Sequence, residues 1–209
     1  MREVLPDVFV VPADDRKGFG YSHFVRRDEG NVLLPRLKQV HLTESYEEIA
    51  SKGGIRWALV SDRHFGGPGC LHVAKHFEAT LVASEIEAGM MRCAVEKQLP
   101  YKRQVLAPGI EAIPTPGHTA GQMAYLVKAG RQRCLFTGDL AWREGDAWHV
   151  GNRSRKVMAA ALSYLKDIEF DVYVGCAGYG DAASFVVIKD PPNAIGEVTE
   201  GILDACTRA

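Results

Sequence analysis

The chain offers no cysteine pair on which to build. Its five thiols (Cys70, Cys93, Cys134, Cys176 and Cys206) are far apart, odd in number and without a CxxC step. That excludes a disulfide framework or a zinc knuckle and fits a reducing compartment. Charge of one sign is lacking as well: 25 Lys and Arg stand against 26 Asp and Glu, a net charge of −1. Affinity resting on nucleic-acid phosphates is therefore not expected. No apolar run approaches the roughly 20 residues of a membrane span. The opening MREVLPDVFVVPADD carries neither the apolar core nor the small-residue cleavage site of a signal peptide. The expectation is a cytoplasmic protein with neither membrane nor nucleic acid among its partners. Internal repeats, low-complexity tracts and Pro/Ser-rich linkers are missing too, so residues 1–209 read as one domain.

What is present is a globular composition, 46% apolar and 24% charged, which excludes a disordered or fibrous chain. Val8 to Pro12 is a short β-branched strand. HFVRR and NVLLP flank the turn triplet Asp28-Glu29-Gly30, the pattern of a hairpin. Glu47 to Ala50 reads as a short helix ended by Gly53-Gly54, and Trp57 to Val60 as a buried strand. The glycine-rich SDRHFGGPG leads into helical spacing from Leu71 to Phe77, and TLVAS is a further buried strand. Ser84 and Glu87 form a capping-box pattern, which predicts a helix running towards Gln98 before Pro100. Strand-like pieces follow at Gln104 to Leu106, Ile110 to Pro114, Met123 to Val127, Cys134 to Thr137 and Val172 to Val174. Asn152 would cap a helix through Leu165, and Ala194 to Cys206 reads as a last helix behind Pro191-Pro192. The order predicts two sheets, each covered by helices, in a layered α/β (α+β) arrangement.

Two segments carry most of the chemistry. Pro114-Thr115-Pro116-Gly117-His118-Thr119-Ala120-Gly121 lies between two strands, and Leu135-Phe136-Thr137-Gly138-Asp139-Leu140 ends an apolar strand on an acid. Strand ends present side chains to ligands from a rigid base. An imidazole and a carboxylate held there make a nitrogen-and-oxygen metal site. Taken singly, His118 reads as a turn residue and Asp139 as a helix cap; their order and spacing make the pair specific. His72 and His76, four apart on a helix, read as an exposed face, since no acidic partner accompanies them. His23, His41 and His149 have no convergent company, and Cys134 and Cys176 read as small buried apolar residues.

Over nearly its whole length the chain resembles the metallo-β-lactamase-fold hydrolase superfamily. HFVRRDEGNVLL is similar to its opening hairpin, IRWALVSDRHFGG falls at its His-x-His-x-Asp-His loop, and PTPGHTAGQMAYLV and CLFTGDLAW match its third and fourth motifs. The resemblance implies a four-layer αββα sandwich with one or two metal ions at the edge between the sheets. The departures are as informative. Without a gap, Asp62 takes the place of the first loop histidine and His64 keeps the second, while Gly66 and Gly67 replace the Asp and final His. With a short deletion, Arg63 to Gly67 covers the Asp-His-x-Gly-Gly and His64 moves to the second metal position. Tyr179 stands near the place of the last family histidine, with Asp181 close by. At least two second-site ligands are thus missing, and a two-metal centre is not expected.

In the ungapped register Asp62, His64, His118 and Asp139 remain as metal ligands. They would hold one divalent ion (Zn, Fe or Mn), with Asp139 or Asp62 as general base. The expectations are a metal-dependent hydrolase of a small-molecule substrate with at most one metal, or a related single-iron dioxygenase. The opposing expectation is a catalytically inactive member, without metal, acting as a binding or regulatory module. Trp142 to Val150 reads as an exposed apolar segment that would wall a pocket, act as a lid or form a homodimer contact.

Overall fold

The structure, a computed structural model, describes residues 1–11, 21–36, 42–176 and 185–207. Its first sheet runs β1 (Arg2–Leu5), β2 (Val8–Val11), β3 (Ser22–Val25), β4 (Val32–Leu34), β5 (Trp57–Leu59), β6 (Thr80–Ser84) and β7 (Lys97–Leu99), in that spatial order. Neighbours are antiparallel as far as β4 and parallel from β4 to β7. The second sheet is built from β8 (Gln104–Ala107), β9 (Ile110–Pro114), β10 (Met123–Ala129), β11 (Gln132–Phe136), β14 (Val172–Val174) and β15 (Phe185–Val187). Its spatial order is β15-β14-β11-β10-β9-β8. A separate two-stranded ribbon, β12 (Ala141–Glu144) with β13 (Ala147–Val150), lies between β11 and β14 in the chain.

The strand sequences explain the layering. Val8 to Val11 is buried at every position, as a strand covered on both faces must be. Alternate side chains go to opposite faces. Val8, Val25, Val32, Leu59 and Val82 meet Ala112, Met123, Tyr125, Val127, Phe136 and Val172 in the layer between the sheets. Phe9, Val11, Phe24 and Leu33 face outward under α1 (Tyr46–Ser51) and α2 (Pro68–His76), where they meet Ile49 and Val73. On the far side Ile113, Ala124 and Leu135 pack under α4 (Arg155–Ser163) and α5 (Ala194–Ala205) through Met158, Leu162, Ile195, Val198 and Ile202. The result is the expected αββα sandwich. No helix among the described residues is long and apolar enough to cross a membrane.

Three expectations are corrected. The helix from Ser84 is a single turn, α3 (Glu85–Ala88), and β7 follows instead of a continuation to Gln98. Ser84 does cap it, its Oγ accepting from the Glu87 N–H at 3.1 Å. The Glu87 carboxylate, however, turns away to other partners and completes no capping box. Ser154 rather than Asn152 caps α4, accepting from the Val157 N–H, because the Asn152 amide is engaged with the Gly117 carbonyl at 2.9 Å; the helix ends at Ser163. The Trp142–Val150 segment is the β12–β13 ribbon and mostly half-buried, exposed only at Gly145 and Asp146. Trp148 packs edge-on to Tyr173 at 5.4 Å, so the half-buried indole lies against the protein's own core. Pro12, His41, Tyr179 and Asp181 lie outside the described residues.

The two sheets are also joined by polar bonds at both ends. Far from the motifs, Arg27 beyond β3 reaches across to the Lys128 carbonyl at 3.0 Å and to the Pro108 carbonyl. At the motif end the Met123 N–H donates to the Ser61 carbonyl at 2.9 Å, and the Tyr125 hydroxyl to the Val60 carbonyl at 3.0 Å.

Candidate metal centre

The carboxyl ends of β4, β5, β6, β9, β11 and β14 all lead to this one edge. From β5 the chain passes through Val60 and Ser61 to Asp62, which is fully buried. Asp62 Oδ1 accepts from the His64 N–H at 2.9 Å and lies 3.1 Å from His64 Nδ1. Burial pushes the Asp62 carboxyl above the usual carboxylate range, and nearby Asp139 adds to that, against lowering by the His64 N–H and the two imidazoles. Asp62 Oδ2 is buried and has no hydrogen-bond partner among the described residues.

From β9 the Pro-Gly turn delivers His118, whose position is fixed on both sides. Its N–H donates to Gln122 Oε1 at 3.1 Å, and the Gln122 amide donates in turn to the Thr137 carbonyl at 2.9 Å. Its Nδ1 lies 3.1 Å from the Gly151 carbonyl, just past the ribbon. A carbonyl only accepts, so in the neutral ring Nδ1 carries the proton and Nε2 holds the lone pair. That Nε2 faces His64 Nδ1 at 3.0 Å. A Cβ on Gly151 would sit 2.0 Å from the Asp139 carbonyl oxygen and 2.8 Å from His118 Nδ1, so only glycine lets the ribbon come this close.

Asp62, His64 and His118 thus bring one oxygen and two nitrogens within 4.8 Å of one another, and among the described residues this is the grouping with metal-ligand character. It holds three of the four residues of the ungapped register; Asp139 is not in it. The donor set fits a divalent ion. One proton on His64 Nδ1 serves either Asp62 or His118, whereas a cation serves all three donors and approaches the buried carboxylate as well. Two imidazole nitrogens on a tetrahedral zinc stand about 3.3 Å apart, close to the 3.0 Å here. The Gly151 carbonyl is the kind of partner that fixes a ligating imidazole's tautomer.

Asp139 reaches the same edge from β11 through Gly138, whose φ of +59° and closeness to Ser61 Cβ favour glycine. Its Oδ1 accepts from Arg36 Nη1 at 2.5 Å, and it stands outside the three-residue group. Arg36 follows β4; its N–H donates to Ser22 Oγ at 2.8 Å and its guanidinium lies over the Phe65 ring. The loops are braced by buried Glu87. One of its oxygens accepts from the Arg63 N–H at 2.7 Å, and the other from the Gly121 N–H at 2.8 Å. The Arg63 guanidinium completes the ion pair at 3.1 Å. His72 and His76 lie elsewhere, stacked on Tyr46. Cys176, at the end of β14, is buried, which pushes its thiol up to about 12. Sequence reasoning missed Arg36 and the bracing role of Glu87. The only signal for Arg36 was its place one residue past a strand end, and Glu87 was read as a helix cap.

No family model matches the chain, and no curated protein sequence matches it. Solved structures do. A metallo-β-lactamase of Cronobacter sakazakii described by a HARLDQ motif is 17% identical, with a TM-score of 0.60 over 83% of this chain and 76% of that one. BJP-1, a subclass B3 metallo-β-lactamase of Bradyrhizobium japonicum, is 18% identical, with a TM-score of 0.62 over 97% and 90%. ETHE1 from Myxococcus xanthus is 15% identical, with a TM-score of 0.64 over 95% and 89%. At such identities the likeness is one of fold.

Proposed function

We propose that this chain, which has the metallo-β-lactamase fold, is a hydrolase of a small-molecule substrate that uses a single divalent metal held by Asp62, His64 and His118. One observation carries the reading: the three donors converge within 4.8 Å although they come from two different sheets. The metal, when bound, supplies Lewis acidity towards a carbonyl or phosphoryl oxygen and brings the pKa of water towards neutrality. The chain's own residues do the rest. The Gly151 carbonyl holds His118 so that Nε2 faces the centre. Asp62 sets its charge inside the protein, and the His64 side chain, 55% exposed, marks the open side from which a substrate enters. Asp139, at the same edge but outside this group, is a carboxylate able to take a proton during hydrolysis.

The test is elemental analysis and zinc titration of protein purified without added metal. One equivalent per chain is expected. His118→Ala should abolish binding, because too few donors would remain to hold the ion, whereas His72→Ala should leave it unchanged. If the unaltered protein takes up no metal after reconstitution, the fold serves here as a binding or regulatory module.

A further inference from the structure

We infer that Arg36 stands in for a second metal: its guanidinium holds Asp139 out of the coordination sphere, leaving one ion with three protein ligands. The inference rests on the one-metal reading above and assigns Arg36 as a positioning residue. The Arg36 and Asp139 side chains are only 12% and 14% exposed, and their atoms approach to 2.5 Å. At that burial the charge-assisted bond is little screened by salt. An arginine does not lose its proton in a protein, so the positive charge is permanent.

The placement is built rather than incidental. Ser22, at the start of β3, accepts from the Arg36 backbone N–H, and the Phe65 ring lies under the guanidinium 4.8 Å from its carbon. Two strand ends and the Asp62 loop therefore fix one cation beside Asp139. Charge arithmetic points the same way. Asp62 and Asp139 bring two carboxylates to this edge. One divalent ion on Asp62 and one guanidinium on Asp139 leave a single positive charge. A second divalent ion would leave three, in a half-buried place with no further carboxylate among the described residues of the metal-donor group.

The experiment compares zinc affinity and stoichiometry in the full chain, stripped with a chelator and titrated with Zn²⁺ against a chromophoric competitor. Co²⁺ absorption reports the coordination sphere. Asp139→Asn is expected to keep one equivalent and lose less than about tenfold in affinity, below about 1.4 kcal/mol, since Asp139 neither ligates the ion nor orients a ligand. His118→Ala is expected to lose at least about 100-fold. Arg36→Gln frees Asp139 to ligate, so zinc should bind at least about tenfold tighter with an altered Co²⁺ spectrum. Arg36→Lys should retain wild-type affinity and spectrum, and adding Asp139→Asn to Arg36→Gln should cancel the gain. If Asp139→Asn loses as much affinity as His118→Ala, Asp139 is a ligand and the assignment of Arg36 falls. The same follows if folded Arg36→Gln binds no more tightly. Should Arg36→Gln fail to fold, Asp139→Asn decides alone. Absence of zinc binding by the unaltered protein would instead overturn the one-metal reading itself.

Discussion

A single carboxylate does much of the bracing at this edge. Glu87 is fully buried, yet four donors reach it from two loops: the Arg63 N–H, its Nε and Nη2, and the Gly121 N–H. The residues flanking these anchors are the ligand candidates Asp62, His64 and His118. Glu87→Ala leaves Arg63 and the Gly121 N–H without their partner, and breaking a buried pair in this way costs about 3 kcal/mol. Urea unfolding should show that loss, and zinc affinity should fall with it, since both loops slacken together. Unchanged stability would mean that the loops hold themselves. None of this was legible in the sequence. Ser84-x-x-Glu87 signals a capping box, and the structure keeps only the Ser84 half of it. Which partners a buried side chain takes depends on segments distant in sequence, here 24 and 34 residues away.

Elements were read more faithfully where strands are apolar on both faces. Val172–Val174, buried at every position, appears with the bounds read from the sequence because a run buried on both sides leaves a continuous signal; Ile110–Pro114 does so too, with only Glu111 half-buried. The His118 and Asp139 turns were legible for the same reason, being short connections between such strands. The β12–β13 ribbon was not. Its Trp142, Trp148 and Val150 resemble an exposed sticky segment in sequence, but Trp148 is spent on Tyr173 and the ribbon's task is to bring Gly151 to His118. Gly151→Ala forces the ribbon off the Asp139 carbonyl. The expected outcome is a fall in zinc affinity of about 10- to 100-fold, the range for losing a ligand's orienting partner, with the far-UV circular dichroism of the sheets retained. Full affinity in that variant would remove the Gly151 carbonyl from its orienting role.

The whole molecule carries a pH dependence that the site does not explain. His23 is buried, against Phe136 at 5.5 Å, and neither ring nitrogen has a hydrogen-bond partner among the described residues. Burial lowers its pKa to about 4, and the nearby charge of Arg36 adds to this. The unfolded chain takes up that proton near pH 6.5 and the folded chain only near 4, so the unfolded state binds more protons between these values. Stability is therefore complete above about pH 6.5 and falls as the pH drops, by about 2 kcal/mol on reaching pH 5. His23→Leu should flatten that slope in urea titrations at pH 7.5, 6 and 5. Equal slopes in the two proteins would show that the loss comes from other groups. The layered fold was legible from the order of elements and the two motifs. His23 was read as having no company, and that isolation, once buried, is what makes it costly to protonate.

The bonds that join the sheets at both ends have a mechanical meaning. Interdigitated side chains already hinder the sliding of apolar layers, and here Arg27 also pins one end to Lys128 while Ser61 and Val60 pin the other to Met123 and Tyr125. A sandwich pinned at two ends resists shear, the sliding of packed layers that lets many proteins close around a ligand. Donors that come from different sheets consequently keep their mutual spacing. Accommodation of molecules of different shape falls to the ribbon and the loops at the open edge, and the sandwich beneath them serves as a rigid jig.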